Sequence, residues 1–528
     1  MGERLRRTAA RQPGRAAGVL AAVAVLGTAL AAGWTDRLAL STNATARAPL
    51  EIRVSGELAA ESAAFRVAVA TMRSQLSANP AVTEVRERGG ERRSTVLVVR
   101  FDVGGRKRDA AIARLERNLD PGPLTLSFRG EAAAVRRAKD AAIDDLYLLL
   151  IALPLVALVA IATLGIRRGG AALLAAAAAA ALSALVSELL AGAIDVSFLA
   201  LVGAATGGSL VTLQLCAMAR ARADSTSICG AALAAAAPFA ATALLGLDYL
   251  ASFGLGGAFG ALFAAPASLL AAGAGEAVER PADTAGAGVS APEDEHRGAR
   301  GWRWIGDVLG WSSLIAVLIG LLALALLAFS VAPVDGLAFV AIGAAARPEI
   351  DAAQLGAAIG AAGLATAVVA ALSERQIWLA IAGTLVFALP AAAAAGLLVA
   401  SIQEGWLEGP LGYVSTGELQ LGSLVAAVTV VAAISASQLV GLCAAARRAE
   451  GPDKPQRVAE VMAAFGPPLT LACLTGILAG VALCFSSRLF IKEFGLGLAA
   501  GLALELVIVG VVLAPALLRL TPDRANRG

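Results

Sequence analysis

Charge is scarce in this chain: Asp, Glu, Lys and Arg make up 16% of its 528 residues, against about 25% in a soluble globular protein. With 58% hydrophobic residues and a mean hydropathy of +0.75, most of the chain is suited to lipid. Histidine is nearly absent. The single one, His296, stands in a polar stretch where a solvated side chain is expected. The five cysteines, Cys216, Cys229, Cys443, Cys473 and Cys484, all lie in or beside hydrophobic runs. That distribution argues against a disulfide framework or a metal cluster and leaves them as small packing residues. No nucleophile, histidine and acid arrangement is found, and the glycine-rich stretch Gly203–Gly208 lacks the Lys-Ser/Thr that would complete a phosphate loop. Neither an enzyme nor a bound cofactor or metal is therefore expected. The net charge of +3 leaves no nucleic-acid footprint, because the arginines cluster beside hydrophobic runs.

What the chain does have is hydrophobic runs of the length a bilayer requires. They predict about twelve spans: Ala16–Gly33, Leu146–Ile166, Ala171–Leu190, Val196–Met218, Thr226–Leu245, Tyr249–Ala272, Ile305–Val331, Ala352–Leu372, Ile377–Ser401, Leu419–Ala446, Val461–Leu483 and Leu489–Leu518. Their Ala and Gly content permits close helix packing. Arg4, Arg6, Arg7, Arg11 and Arg15 precede the first run; Arg167-Arg168, Arg220 with Arg222, Arg375, Arg447–Arg457 and Arg519–Arg527 fall on the same side in alternation. Both termini are thus predicted inside, in a multi-pass plasma-membrane protein. The small residues Ala29–Ala32 also suit a signal-peptide cleavage site, and either reading puts Trp34 onward outside.

Residues 34–145 form one water-soluble island between the first and second spans. Strands are predicted at Leu50–Val54, Ala81–Arg86, Ser94–Asp102 and Leu124–Phe128, and helices at Ala59–Leu76 and Arg106–Leu119. The order β-α-β-β-α-β is the ferredoxin-like one. Residues 146–272 hold the second to sixth spans, 273–304 a polar cytoplasmic linker, 305–331 the seventh span, 332–351 a short outer segment, 352–518 the remaining spans and 519–528 a cytoplasmic tail.

The two halves repeat in the same orientation. Phe253-Gly254-Leu255-Gly256 recurs as Phe494-Gly495-Leu496-Gly497, and Ala265-Pro266-Ala267 as Ala514-Pro515-Ala516; repeats related by an axis along the membrane normal are a known transporter plan. The fold class expected is a polytopic α-helical membrane protein of two parallel repeats with one ferredoxin-like α+β outer domain.

This layout resembles the resistance-nodulation-division (RND) superfamily, specifically its mycobacterial-membrane-protein-large (MMPL) branch. The order of Gly130, Asp144-Asp145, the Arg167-Arg168 turn, Lys492-Glu493-Phe494-Gly495 and Pro515-Ala516-Leu517-Leu518 is similar along nearly the whole chain. The resemblance implies proton-driven export or transfer of lipids or other hydrophobic molecules, with an outer porter domain handling the cargo; the sequence leaves a homo- or hetero-oligomer open. It also implies an acidic relay on the fourth and tenth spans. Here those spans read Gly203–Thr212 and Ala433–Leu439, without an acid. At the relay-equivalent positions stand Ser209, Thr212, Ser437 and Gln438, which hydrogen-bond but do not titrate near neutral pH.

An ionisable group within a span is costly and so invites a functional hypothesis. Glu188 in the third span and Glu505 in the middle of the twelfth are the candidate proton-coupling groups. Each is weighed against a neutral carboxyl bonded to a neighbouring helix. Asp195, Asp248 and Glu418 fall at outer boundaries, where capping or solvation explains them; Asp307 is expected to pair with Arg303 or water. Loss of the relay acids leaves a second reading, a scaffold or regulatory partner that keeps the fold without transporting.

Overall fold

Lipid offers a spanning backbone no hydrogen-bond partner but itself, so each apolar run closes its bonds as helix. The structure, a computed structural model, describes residues 2–31, 50–55, 62–88, 94–101, 124–190, 198–245, 248–279, 297–309, 352–413, 421–449 and 453–521, most of 111–119, and residues 318, 320, 322 and 419. The chain divides into two compact units, Met1–Ala32 with Asp145–Gly528, and Gly33–Asp144.

Two helices open the chain, α1 (Gly2–Arg11) and α2 (Pro13–Ala31). The smaller unit follows with β1 (Leu50–Ser55), α3 (Ala63–Ser77), β2 (Val82–Arg88), β3 (Ser94–Phe101) and β4 (Thr125–Arg129). Ser62 caps α3, accepting a bond from the Phe65 amide at 3.2 Å. The sheet order is β2-β3-β1-β4 with every pairing antiparallel, the sheet of a split β-α-β arrangement. Alternation along β1 puts Leu50, Ile52 and Val54 into a core with Phe65, Val69, Met72 and Leu76 of α3. Ile112 and Leu115 join that core from helical residues 111–112 and 114–117.

Helix α4 (Gly130–Leu164) belongs to the larger unit from Asp145 on, and that unit continues through α5 (Ile166–Leu190), α6 (Phe198–Arg220), α7 (Ser225–Ala243), α8 (Asp248–Glu279), α9 (Arg297–Leu309), α10 (Ala352–Glu374), α11 (Ile377–Leu398), the short α12 (Glu408–Leu411), α13 (Leu421–Arg448), α14 (Lys454–Leu483), α15 (Leu489–Leu504) and α16 (Ala514–Leu520). Among the described residues nine helical segments are long and apolar enough to cross a membrane. Several display apolar side chains that water would not tolerate: on α4, Leu150, Ile151, Leu153, Leu155 and Leu158 are all exposed, a continuous patch that only lipid or a partner covers. By contrast α11, α13 and α14 are mostly buried in the bundle.

One boundary and the interiors of two spans differ from the sequence expectation. The second span ends at Gly165, whose φ of +84° suits a residue without Cβ; Arg167 and Arg168 therefore lie inside the first turn of α5. The ninth and twelfth spans are not uniform α-helix. Val399–Gln403 and Glu505–Leu513 are π-helical, and the latter widening precedes Pro515, whose ring would otherwise press on the carbonyl four residues earlier. The seventh span, Ile305–Val331, lies largely outside the described residues beyond Leu309, as does the outer segment 332–351.

The repeated Phe-Gly-Leu-Gly motif packs alike in both halves. Phe253 and Phe494 are fully buried. A Cβ on Gly254 would strike the Phe239 carbonyl and the Ala243 amide of α7, and one on Gly495 would lie 2.6 Å from the Gly480 carbonyl of α14. In each half, then, the motif seats its helix against the backbone of the helix before it.

Candidate functional site

Helices α13 and α15 meet along a ladder with one rung every four residues. Ser423 Oγ donates to Glu493 Oε2; a Cβ on Gly497 would meet Ala427 Cβ at 2.8 Å; one on Gly501 would meet Val431 Cγ2 at 2.6 Å. Ser435 Oγ donates to Glu505 Oε2 at 2.7 Å. Each rung joins residue i of α13 to residue i+70, so the helices run in the same direction. A spacing of four keeps one face of each in contact. The glycines at 497 and 501 remove the side chains that would hold the backbones apart. Two hydroxyl–carboxyl rungs therefore lie at the ends of an apolar contact, about 18 Å apart at the 1.5 Å rise per residue of a helix.

Glu493 and Glu505 are both completely buried. Glu505 Oε1 makes no hydrogen bond within the protein, so this carboxyl can take up a proton on that oxygen while Oε2 keeps its bond from Ser435. Glu505 also opens the π-helical segment, a widening common at functional sites.

One turn further along α13 stand Ser437 and Gln438, buried at 0% and 1% exposure. Gln438 Nε2 points to Cys473 Sγ of α14 at 3.6 Å, while Gln438 Oε1 and Ser437 Oγ have no protein partner. Gln438 shares a recess with Gln214 of α6, Met218, Ala221, Ala223, Arg448 and Phe465, with room for about one water molecule. Both polar atoms of the Gln214 amide are buried without protein partners. The unpartnered Gln214 amide and Gln438 Oε1, with Arg448, make this recess polar.

At the Arg447 end of α13 the recess adjoins an ionic cluster. Asp224 caps α7, accepting from the Ser227 amide at 3.0 Å. Arg447 reaches Asp224 Oδ2 at 2.8 Å and Glu374 Oε2 of α10 at 3.2 Å, and Arg448 donates to the Ala221 carbonyl at 3.0 Å. Burial pushes the Asp224 carboxyl up, but bonds from Ser227 and Arg447 outweigh it and hold the group below its ordinary value.

Of the sequence candidates, Glu505 is brought against the tenth-span helix, at Ser435, within one turn of Ser437 and Gln438. Ser209 and Thr212 spend their hydroxyls on the Ala205 and Gly208 carbonyls of their own helix. Glu188 lies in α5, with its side chain outside the described residues. Sequence reasoning missed Gln214 and Glu493. The first was legible as a lone amide inside an apolar run, the second as an acid twelve residues before Glu505; their meaning came from which helices meet.

No protein-family model and no curated protein sequence matches the chain. Solved structures do. The hedgehog release protein Disp from a water bear (Hypsibius dujardini) is 11% identical, with a TM-score of 0.53 over 81% of this chain and 76% of that one. SecDF, a translocon-associated membrane protein from Thermus thermophilus, is 11% identical, with a TM-score of 0.51 over 96% of this chain and 99% of that one. The chain shares its fold with these two proteins, and with nine described helices long and apolar enough to cross a membrane it is a multi-pass membrane protein.

Proposed function

We propose that this chain is a membrane transporter, a diverged member of the MMPL branch, that exports or transfers lipid-like or other hydrophobic molecules at the plasma membrane. Both termini are cytoplasmic, unit 33–144 serves as the porter domain, and the work involves no covalent chemistry. Glu505 replaces the missing relay acids as the proton carrier, with Glu188 as the second candidate. Ser437, Gln438 and Gln214 give its neighbourhood polar groups that hold water rather than protons of their own.

The observation that supports this most is the Ser435–Glu505 bond: a fully buried carboxyl held by the same stretch of helix in which the resemblance implies half of an acidic relay. Purified protein in liposomes, loaded with a fluorescent lipid, tests it. Transport should follow an imposed pH gradient and should lose that dependence in Glu505→Gln; equal transport with and without a gradient refutes the coupling.

The second reading is a non-transporting scaffold or regulatory partner. It is favoured by the relay stretches themselves, where Ser209 and Thr212 are tied to their own backbone. SecDF, as a translocon-associated protein, offers a precedent for a partner role. Stoichiometric co-purification with a second membrane complex, together with no transport in liposomes, would favour it.

A further inference from the structure

We propose that α1 is a docking site for anionic phospholipid headgroups. Arg4, Arg7 and Arg11 stand at i, i+3 and i+7 and so share one face of the helix, and all three are exposed, as is Arg15 in the first turn of α2. Residues 2–15 hold five arginines against one acid, Glu3. Glu3 is bound to Arg7 at 3.0 Å in an exposed pair, a contact that competes weakly with a phosphate.

The opposite face of α1 is fixed to the bundle. Ala9 is buried against Ala16 and Ala274, and α1 lies along the end of α8 because Gly273 leaves space for it. A Cβ on Gly273 would meet Ala9 Cβ at 2.7 Å and strike the Arg6 carbonyl. The arginines are therefore presented by a seated helix, with little ordering left to be done on binding.

Four residues beyond Arg15 the surface turns apolar: Val19 is 53% exposed, and Val25 and Leu26 on the same helix are exposed further on. An apolar surface beginning about 6 Å past the last arginine sets the guanidinium groups at the depth of lipid phosphates, where a planar fork binds two phosphate oxygens at once. An acidic protein would match the charge but not the adjoining apolar surface.

The test is native mass spectrometry of the full chain released from nanodiscs of equal phosphatidylglycerol and phosphatidylcholine, comparing wild type, R4Q/R7Q/R11Q and R4K/R7K/R11K. A nanodisc exposes both faces, so any effect of the arginines on insertion orientation does not enter the comparison. Wild type should retain phosphatidylglycerol in clear excess. Each basic side chain near an anionic surface contributes about a five-fold preference, so the glutamine variant should lose that excess by more than ten-fold, and the lysine variant, which keeps the charge but not the two-oxygen fork, should fall between the two. Thermal stability in pure phosphatidylcholine should be the same for all three, which separates lost binding from lost folding. Equal lipid ratios for wild type and the glutamine variant, or no excess in wild type, would overturn the proposal. The experiment reads binding alone, so it stands or falls independently of transport.

Discussion

A carboxyl group in the middle of a span is tolerated only where the protein supplies a partner, and Glu505 has one neutral hydroxyl for that purpose. Ser435→Ala removes this donor and leaves Oε2 buried and unbonded. It should lower stability by about 1–3 kcal/mol, read as a drop in the unfolding midpoint, while Ser435→Thr restores most of it. Glu505 itself was legible as an acid in an apolar run, but Ser435 was not, because the i to i+70 register between α13 and α15 is a tertiary fact absent from either segment alone. The glycines of the repeated motif were legible as text, and the structure supplies their reason. At Gly495 an added Cβ would meet the Gly480 carbonyl, a backbone atom that cannot swing away. Gly495→Ala should therefore cost on the order of 1–3 kcal/mol by overpacking, checked by thermal unfolding against an alanine at the open position Gly360.

At the scale of elements, the cluster at the end of α13 ties both repeats together: Asp224 and Ser227 belong to the first, Glu374 and Arg447 to the second. The two contacts of Arg447 differ in weight. Its pair with Asp224, whose side chain is 49% exposed, contributes no more than about 1 kcal/mol. Glu374 is fully buried and would lose its charge partner in Arg447→Gln, a change expected to cost on the order of 2–4 kcal/mol. That is below the full cost of breaking a buried pair because Arg447 is 30% exposed. The carboxyl of Asp224 lies below its ordinary value in the folded state, so its contribution is present above the unfolded carboxylate range and is lost as pH falls through the folded value. On acidification the unfolding midpoint of wild type should therefore fall further than that of Asp224→Asn. The arginines of this cluster read in sequence as markers of orientation; the carboxylates they hold come from other helices, which single-span reading cannot join.

For the molecule as a whole, hydrophobic period and length were enough to anticipate a multi-pass bundle, and strand alternation anticipated the four strands of the small unit to within two residues at every boundary. Such patterns survive because lipid and sheet each impose one regular burial rule. The π-helical widenings at Val399–Gln403 and Glu505–Leu513 broke that rule and left no trace in the hydropathy. The paired Phe-Gly-Leu-Gly motifs gave the repeat, and in each half the motif seats its helix on the one before it, on α7 in the first and α14 in the second. The proposed proton coupling rests on one buried carboxyl, Glu505. The most direct measurement is the rate of fluorescent-lipid transport in proteoliposomes under an imposed pH gradient, for wild type and Glu505→Gln side by side. The account predicts gradient-dependent transport in wild type and at least a ten-fold loss in the variant with folding unchanged; equal gradient-driven rates in the two would contradict it.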